Sequence, residues 1–271
     1  MRPATLVARR RHGVAEVRDD EGRWREAPVW LPPYRSLLTE FADPSRGPEL
    51  WAMRRALQSW RFYDAFRADT AAPARQPQVG TRTPVLADDG SDLAAALQTI
   101  IEDGRAPLAA AVSDAFPGAG LSVQVSEGMF DIALTQPGML RPLRAAELSD
   151  GTLRYLLWLA ALLTPEPPPL MVLNEPETSL HVSLLPPLAR LIATAARSTQ
   201  VVVVTHASVL VEELTRAMGG EAAGREPDDE EPLRPGEVPA LRLVPLAKDL
   251  GETYVAGQGL LTTPPWEWGR R

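Results

Sequence analysis

The sequence predicts an α/β protein with a parallel central sheet. Residues 170–173 (Leu-Met-Val-Leu) and 201–204 (four valines) are apolar runs with the length and composition of buried strands. A helix is predicted between them at residues 184–196, and a strand–helix–strand order is typical of parallel strands. Polar residues follow each run directly, and polar side chains at the ends of parallel strands are typical of a nucleotide site.

The composition limits the class of protein. The chain has 271 residues, 45% of them apolar, which is ordinary for a globular protein. Acidic residues outnumber basic ones by 35 to 28, and the net charge of −7 does not support general nucleic-acid binding, although a local DNA contact stays open. The absence of cysteine excludes disulfides, thiolate metal sites and cysteine nucleophiles. No apolar run approaches the roughly 20 residues of a membrane span, and no signal peptide is recognisable, so we expect no membrane partner and a cytoplasmic location.

The first 90 residues predict a small antiparallel β element and a helix. Residues 5–10 and 14–18 are predicted strands, and a turn at 19–22 extends them to a meander. The three arginines at 9–11 are predicted to form a solvated strand edge, with nucleic-acid contact as the alternative. After Pro48, residues 49–66 place apolar residues at helical spacing, and residues 68–84 predict an extended connector.

Residues 91–146 predict a helical and β-hairpin insertion. The acidic sequence at 88–92 lacks the spacing of a calcium loop, so we expect a turn in which Ser91 or Asp92 caps a helix ending near Glu102. A second helix is predicted at 108–116. Alternating apolar and polar residues at 121–125 and 129–135 then predict a hairpin.

The residues after 218 predict two further segments, following a core at 147–218. Residues 219–237 are rich in Gly, Pro, Glu and Asp and predict a mobile acidic loop. Residues 238–271 contain predicted strands at 241–246 and 251–255. The tail at 264–268 carries two tryptophans, so we expect it to pack on the body of the protein or on a partner.

Three short motifs stand in order between residues 148 and 206. Leu-Ser-Asp-Gly-Thr at 148–152 precedes a helix predicted at 153–163 and combines a small hydroxyl, a glycine and a helix N-terminus, which suit a phosphate. The plainer interpretation is that Ser149 and Asp150 are an ordinary helix cap. The second motif, at 174–181, is Asn-Glu-Pro-Glu-Thr-Ser-Leu-His, and the third is Thr-His at 205–206.

Together the motifs resemble the signature, Walker B, D-loop and switch segments of an ABC-type ATPase domain, and they are most similar to the RecF-like and OLD-like predicted AAA-family ATPases. The resemblance covers mainly residues 98–214, and Asp-Gly-Ser-Asp-Leu-Ala at 89–94 extends it upstream. It implies an incomplete ABC-ATPase-like (P-loop NTPase) core with a parallel central sheet, the insertion described above and a small N-terminal antiparallel β element.

The resemblance also implies the roles of individual residues. Glu175 stands at the position of the carboxylate that polarises the attacking water, and His206 at that of the γ-phosphate sensor. Asn174 replaces the Walker B aspartate, so its amide oxygen would support Mg²⁺ without a negative charge and magnesium binding should be weak. His181 is expected to be structural rather than a metal ligand. The residues expected to contact ATP phosphate held by a partner subunit are Ser149, Asp150, Gly151 and Thr152.

The phosphate-binding Walker A motif does not occur in the sequence, and the only lysine is Lys248. Three explanations stay open: a truncated or mis-started gene, which we favour, a split system whose partner supplies Walker A, or a degenerate ATPase. The leading hypothesis is an ATP-binding ABC-type ATPase-like protein that acts as a nucleotide-sandwiched dimer, in work such as DNA maintenance or defence. The alternative is a non-hydrolysing interaction module that docks a Walker-A-bearing partner. An OLD-type nuclease is unsupported because no acidic metal cluster follows the core.

Overall fold

The structure is a computed structural model that describes residues 6–18, 21–40, 43–45, 47–64, 66–218, 241–249, 252–255 and 259–260. The α-helices of this part of the chain are α1 (Leu37–Glu40), α2 (Pro48–Ser59), α3 (Leu93–Asp103), α4 (Leu108–Ala115), α5 (Asp150–Leu162), α6 (Leu185–Ala195) and α7 (Ser208–Ala217). The strands are β1 (Ala8–Arg11), β2 (Val14–Arg18), β3 (Trp24–Trp30), β4 (Arg61–Tyr63), β5 (Gln78–Val79), β6 (Gly120–Ser126), β7 (Met129–Thr135), β8 (Leu143–Arg144), β9 (Leu170–Asn174), β10 (Gln200–Val204), β11 (Leu246–Asp249), β12 (Glu252–Val255) and β13 (Gly259–Leu260).

The central sheet is parallel and has the order β10-β9-β4. Val202 and Phe62 lie opposite Val172 on either side, so the three strands are in register, and α6 connects β9 to β10. The prediction of an α/β fold with a parallel sheet is confirmed. Because the strands run in one direction, their carboxyl ends meet at a single edge, where a site can be assembled from three separate segments.

The helix α5 forms the centre of the main core. Its side chains are buried almost all round, from Leu153 to Leu162, and they pack with α6 and with the insertion. Tyr63 and Phe66, next to the end of β4, both contact Trp158 of α5 edge-on, with ring centroids 6.3 and 4.7 Å away. The Tyr63 hydroxyl donates to the Leu86 carbonyl at 3.0 Å, and burial raises its pKa. These contacts fix the chain on both sides of Asp64.

The two faces of the parallel sheet differ in burial. Met171 and Leu173 of β9 are fully buried on the α5 side. On the opposite face Phe62, Val202 and Val204 are 55%, 41% and 43% exposed. Parallel sheets usually have both faces covered, so an apolar face that the described residues leave uncovered is unusual for the fold.

The insertion has the predicted helices and hairpin. β6 and β7 pair antiparallel from Gly120 to Thr135, with β5 and β8 added at β7. The turn before α3 is also present, and Asp92 is the N-cap residue of α3. The expected capping bond is absent, however, because the Asp92 carboxylate accepts from the backbone N–H of Ala87 instead, at 2.9 Å.

The N-terminal strands β1, β2 and β3 form the predicted antiparallel meander, with a small core of their own. The first strand begins at Ala8 rather than at residue 5. Arg9 makes a bidentate contact with Glu16, and Arg10 donates to three backbone carbonyls. Two of the three arginines therefore stabilise the meander internally, which neither the solvated-edge nor the nucleic-acid interpretation anticipated.

Two element predictions were wrong. The helix predicted at 49–66 ends at Ser59, because Trp60 is extended (φ −61°, ψ 144°) and residues 61–63 pair with β9 as a strand. The strand predicted at 241–246 begins only at Leu246, where it pairs with β12. The predictions for residues 219–237 and 264–268 lie outside the described residues. No described helix has the length and apolarity of a membrane span.

Candidate functional site

The carboxyl edge of the parallel sheet brings together polar residues from three strands. Asp64 follows β4, Asn174 and Glu175 end β9, and His206 follows β10. The register places Val204 opposite Asn174, so these strand ends lie side by side. Three predicted site residues, Asn174, Glu175 and His206, are thus adjacent in space although 32 positions separate the first from the last.

Glu175 and His206 face each other at this edge. Glu175 Oε1 lies 3.4 Å from His206 Nε2, and the side chains are 45% and 85% exposed. Glu175 has a φ of +44°, the left-handed region that a side chain rarely adopts, and its N–H donates to the Val204 carbonyl at 2.7 Å. Strained residues of this kind occur often at functional sites. A solvent-reaching carboxylate beside an imidazole can accept a proton from water.

Asp64 is a site residue that the sequence did not indicate. Its Oδ1 accepts a hydrogen bond from Asn174 Nδ2 at 2.6 Å. Residues 49–66 had been predicted as one helix, which hid the strand end that places Asp64 here. The available signal was a polar residue after Arg61–Tyr63, but three residues are too few to show strand periodicity.

A cavity of about 120 Å³ lies beside Asp64 and Asn174. Its lining residues come from β4, α5 and β9 with their following loops: Asp64, Phe66, Arg154, Trp158, Asn174, Glu175 and Thr178. The Nε of Arg154 is buried and has no hydrogen-bond partner among the described residues. Because an unsatisfied buried N–H is costly, this guanidinium offers a contact to an anion in the cavity.

Glu177 positions the loop that carries His206. Its Oε1 accepts hydrogen bonds from Thr205 Oγ1 at 2.5 Å and from the backbone N–H groups of His206 and Ala207 at 3.1 and 3.2 Å. Glu177 therefore fixes the start of the segment after β10. Its importance could not be predicted, because its partners lie 28 to 30 residues away.

The predicted phosphate-contacting residues lie together at the N-terminus of α5. Ser149 is the N-cap and accepts from the Thr152 N–H at 3.2 Å, while its hydroxyl lies 2.8 Å from Thr152 Oγ1. Asp150 accepts from Arg75 Nη2 at 2.6 Å. The ordinary capping contact is thus present. A phosphate contact by Ser149, which is exposed, stays a prediction.

Gly151 packs closely against the chain itself. A Cβ at this position would lie 3.0 Å from the Ser179 carbonyl oxygen, tighter than most real Cβ contacts, so that this carbonyl would have to shift by a few tenths of an ångström; Ser179 itself has a φ of +63°. The segment at 148–152 and the loop at 176–181 are therefore in contact within one chain. His181 accepts from the Ser183 N–H at 3.3 Å and caps the 3-10 helix Val182–Leu184, and its assignment as a structural residue rather than a metal ligand stays a prediction.

Arg75 links the residues around 148–150 to the segment after β4 through hydrogen bonds. Its side chain is 6% exposed, and it donates to the carbonyls of Leu148 at 2.7 Å and Ala68 at 2.8 Å as well as to Asp150. A buried guanidinium with several oxygen partners is fully engaged in holding the backbone. No local pattern indicates this role of Arg75, since its partners lie on both sides of the insertion.

The oxygen donors at the sheet edge are compatible with Mg²⁺. Asp64, Asn174 and Glu175 present carboxylate and amide oxygens to one cavity. No group of three or more acidic or histidine side chains that could hold a metal occurs in the described part of the chain. Magnesium sites that work with phosphates need only one or two carboxylates, so the donor set fits a nucleotide-linked ion.

Comparison with known proteins gives one family match. A model of the family described as "AAA domain, putative AbiEii toxin, Type IV TA system" matches residues 35–212, well over half of the chain. No curated protein sequence matches.

Similar solved structures include an SMC ATPase described for ATP-driven dimerization and DNA-stimulated activation, with 15% identity and a TM-score of 0.42 over 59% of this chain and 84% of that chain. An SmcHead bound to the C-winged helix domain of ScpA has 12% identity and a TM-score of 0.44 over 74% of this chain. The SMC head domain from Thermotoga maritima has 18% identity and a TM-score of 0.33 over 74% of this chain. This chain spans 61% of each of the last two.

Proposed function

Since this chain belongs to the AAA domain family described as putative AbiEii toxin, Type IV TA system, and carries an ABC-like AAA ATPase domain, we propose that it binds ATP with Mg²⁺ and hydrolyses it in a nucleotide-sandwiched dimer. The observation that carries this proposal is the meeting of Glu175 and His206, 3.4 Å apart, at the carboxyl edge of the parallel sheet. Glu175 keeps a left-handed backbone there. Hydrolysis needs such a carboxylate at the water-accessible end of the site.

The roles divide between the two ends of the site. Glu175 accepts the proton of the attacking water, and His206, whose loop Glu177 holds, contacts the γ-phosphate. Asn174 supports Mg²⁺ at the end of β9, and the ion would neutralise phosphate charge when it is bound with ATP. Ser149 and the α5 N-terminus, both exposed, contact the ATP of a second subunit through a hydroxyl and backbone amides.

The hydrolysis proposal is tested by phosphate release from the purified chain with Mg²⁺ and ATP. Glu175→Gln should lower the rate at least about 100-fold, because it removes the proton acceptor while keeping the shape of the side chain. Glu212→Gln, on the exposed side of α7, is the matched control and should leave the rate unchanged. Turnover that survives Glu175→Gln would exclude the catalytic assignment.

A second candidate function is a non-hydrolysing module that docks a Walker-A-bearing ATPase. It is favoured by the uncovered sheet face with Phe62, Val202 and Val204, and by β10 being the outermost strand of the described sheet. An outermost strand offers unpaired backbone groups to another chain. Absence of phosphate release by the isolated chain, together with loss of complex formation with a Walker-A-bearing homologue in the double variant Val202→Lys/Val204→Lys, would favour this candidate.

A link to DNA maintenance or defence is the least supported part of the proposal. The net charge is −7, and Arg9 and Arg10 are engaged within the meander. Stimulation of phosphate release by duplex DNA, lost as salt is raised, would support the link, because contacts with DNA phosphates weaken steeply with ionic strength. An equal rate with and without DNA would remove it.

A further inference from the structure

We propose that Asp64 supplies the negative charge at the magnesium position that Asn174 lacks, so that the carboxylate acts from β4 and the amide from β9. Asp64 can have this role only if the proposed function holds, since the ion enters with ATP. Asn174 then acts as a positioning residue for the carboxylate. Magnesium binding would therefore be less weakened than the Asn at 174 suggests by itself.

The hydrogen bond between Asp64 and Asn174 determines which atom of the Asn174 amide is left for another partner. An ionised carboxylate only accepts hydrogen bonds, so the Asn174 group 2.6 Å from Asp64 Oδ1 is the amide NH₂. The amide oxygen of Asn174 is consequently left for another donor, such as a metal-bound water. The same bond holds the Asp64 carboxylate in place beside the cavity.

Charge accounting within the cavity points to the same residue. Among its lining residues Asp64 and Glu175 are the two carboxylates and Arg154 is the one cation, and Glu175 Oε1 lies 3.4 Å from His206 Nε2. Asp64 forms no ion pair with an Arg or Lys side chain in the described part of the chain. Its negative charge is thus available to a cation, and one carboxylate with phosphate oxygens and water satisfies Mg²⁺.

The surroundings of Asp64 keep it in this position. Tyr63 and Phe66 are 1% and 2% exposed, and their rings lie 5.3 Å apart. Both also contact Trp158, which lines the cavity. Tyr63 and Phe66, the described core residues on either side of Asp64, are therefore anchored in the main core, and a metal ligand held between such anchors needs little reorganisation to bind.

Reciprocal exchange of the two side chains tests the inference. Mn²⁺, as a paramagnetic probe for Mg²⁺, is titrated into the purified chain with and without ATP, and free Mn²⁺ is measured by electron paramagnetic resonance. Asp64→Asn should weaken Mn²⁺ binding about 10-fold. The double variant Asp64→Asn/Asn174→Asp, which returns one carboxylate and one amide with their strands exchanged, should recover affinity to within about 3-fold of the native chain. Asp88→Asn, which removes an exposed carboxylate outside the cavity, is the control and should bind like the native chain.

The outcomes separate this inference from the proposed function. Native Mn²⁺ binding that Asp64→Asn leaves unchanged would overturn the role of Asp64 and leave the ATPase proposal intact. If circular dichroism shows that the double variant is folded but its Mn²⁺ affinity does not recover, the inference about Asp64 would also be overturned. If the native chain binds no Mn²⁺ under either condition, the proposed function itself is overturned.

Discussion

The N-terminus of α5 and the carboxyl edge of the sheet are the two ends of the candidate site, and the fold treats them differently. At the α5 end, Arg75 is buried and Ser149, Asp150 and Gly151 all make contacts within the chain. At the sheet edge, His206 is almost fully exposed and Glu175 holds an unfavourable backbone conformation. Residues at the first end therefore stabilise the fold whatever else they do, whereas the left-handed backbone of Glu175 is a local cost of the kind often found at functional sites.

Substitution of Arg75 should destabilise the α5 end of the site and have the largest effect on the free energy of unfolding. Arg75→Met removes the donors to Leu148, Ala68 and Asp150, and leaves buried carbonyls without partners. We expect a loss of about 3–5 kcal/mol in the free energy of unfolding, measured by urea denaturation. Arg67→Met, which removes an exposed partner of Asp69, should leave the free energy of unfolding nearly unchanged. Equal losses for the two variants would contradict the assignment of Arg75 as the anchor of this end.

Substitution of Glu175 should change the free energy of unfolding in the opposite direction, which distinguishes the sheet edge from the α5 end. Glu175→Gly relieves a left-handed backbone with φ +44° and should raise the free energy of unfolding by about 1 kcal/mol, while removing the carboxylate needed for phosphate release. Thermal and urea denaturation measure the gain. Glu175→Ala, which keeps a Cβ in the same conformation, is the matched control and should give no gain. A destabilising Glu175→Gly would mean that the side chain supports the fold.

The smallest effect is the share of the pH dependence of stability that comes from Glu147, just before α5. The Arg141 guanidinium, and then the Arg144 backbone N–H, hold the pKa of Glu147 at about 2, below its ordinary value of 4.5. A lowered pKa means that Glu147 contributes stability above about pH 4.5 and that the contribution is lost as the pH falls toward 2. Urea midpoints between pH 5 and pH 2.5 should therefore fall less steeply for Glu147→Gln than for the native chain. Parallel curves would contradict this contribution.

Sequence patterns predicted what depends on neighbours along the chain. The runs that became β9 and β10, the helix α5 and the hairpin β6–β7 each have enough residues to show a period, and they lie where predicted. β4 has three residues, and its conformation is decided by pairing with β9 more than 100 positions away, so a helical pattern was extended over it. The contacts of Asp64, Arg75 and Glu177 are long-range in the same way, and no local pattern contains them.

The close approach of Gly151 to Ser179 has a consequence for how such chains diverge over evolutionary time. A side chain at 151 would bring its Cβ to 3.0 Å from the carbonyl oxygen at 179, so the two segments would have to shift relative to each other. In a descendant that had lost all contact with phosphate, this close packing would still favour the glycine. Retention of a glycine here is therefore a poor marker of activity among relatives. Variation at Asp64 and Glu175, which are exposed and lie outside this contact, is the better marker.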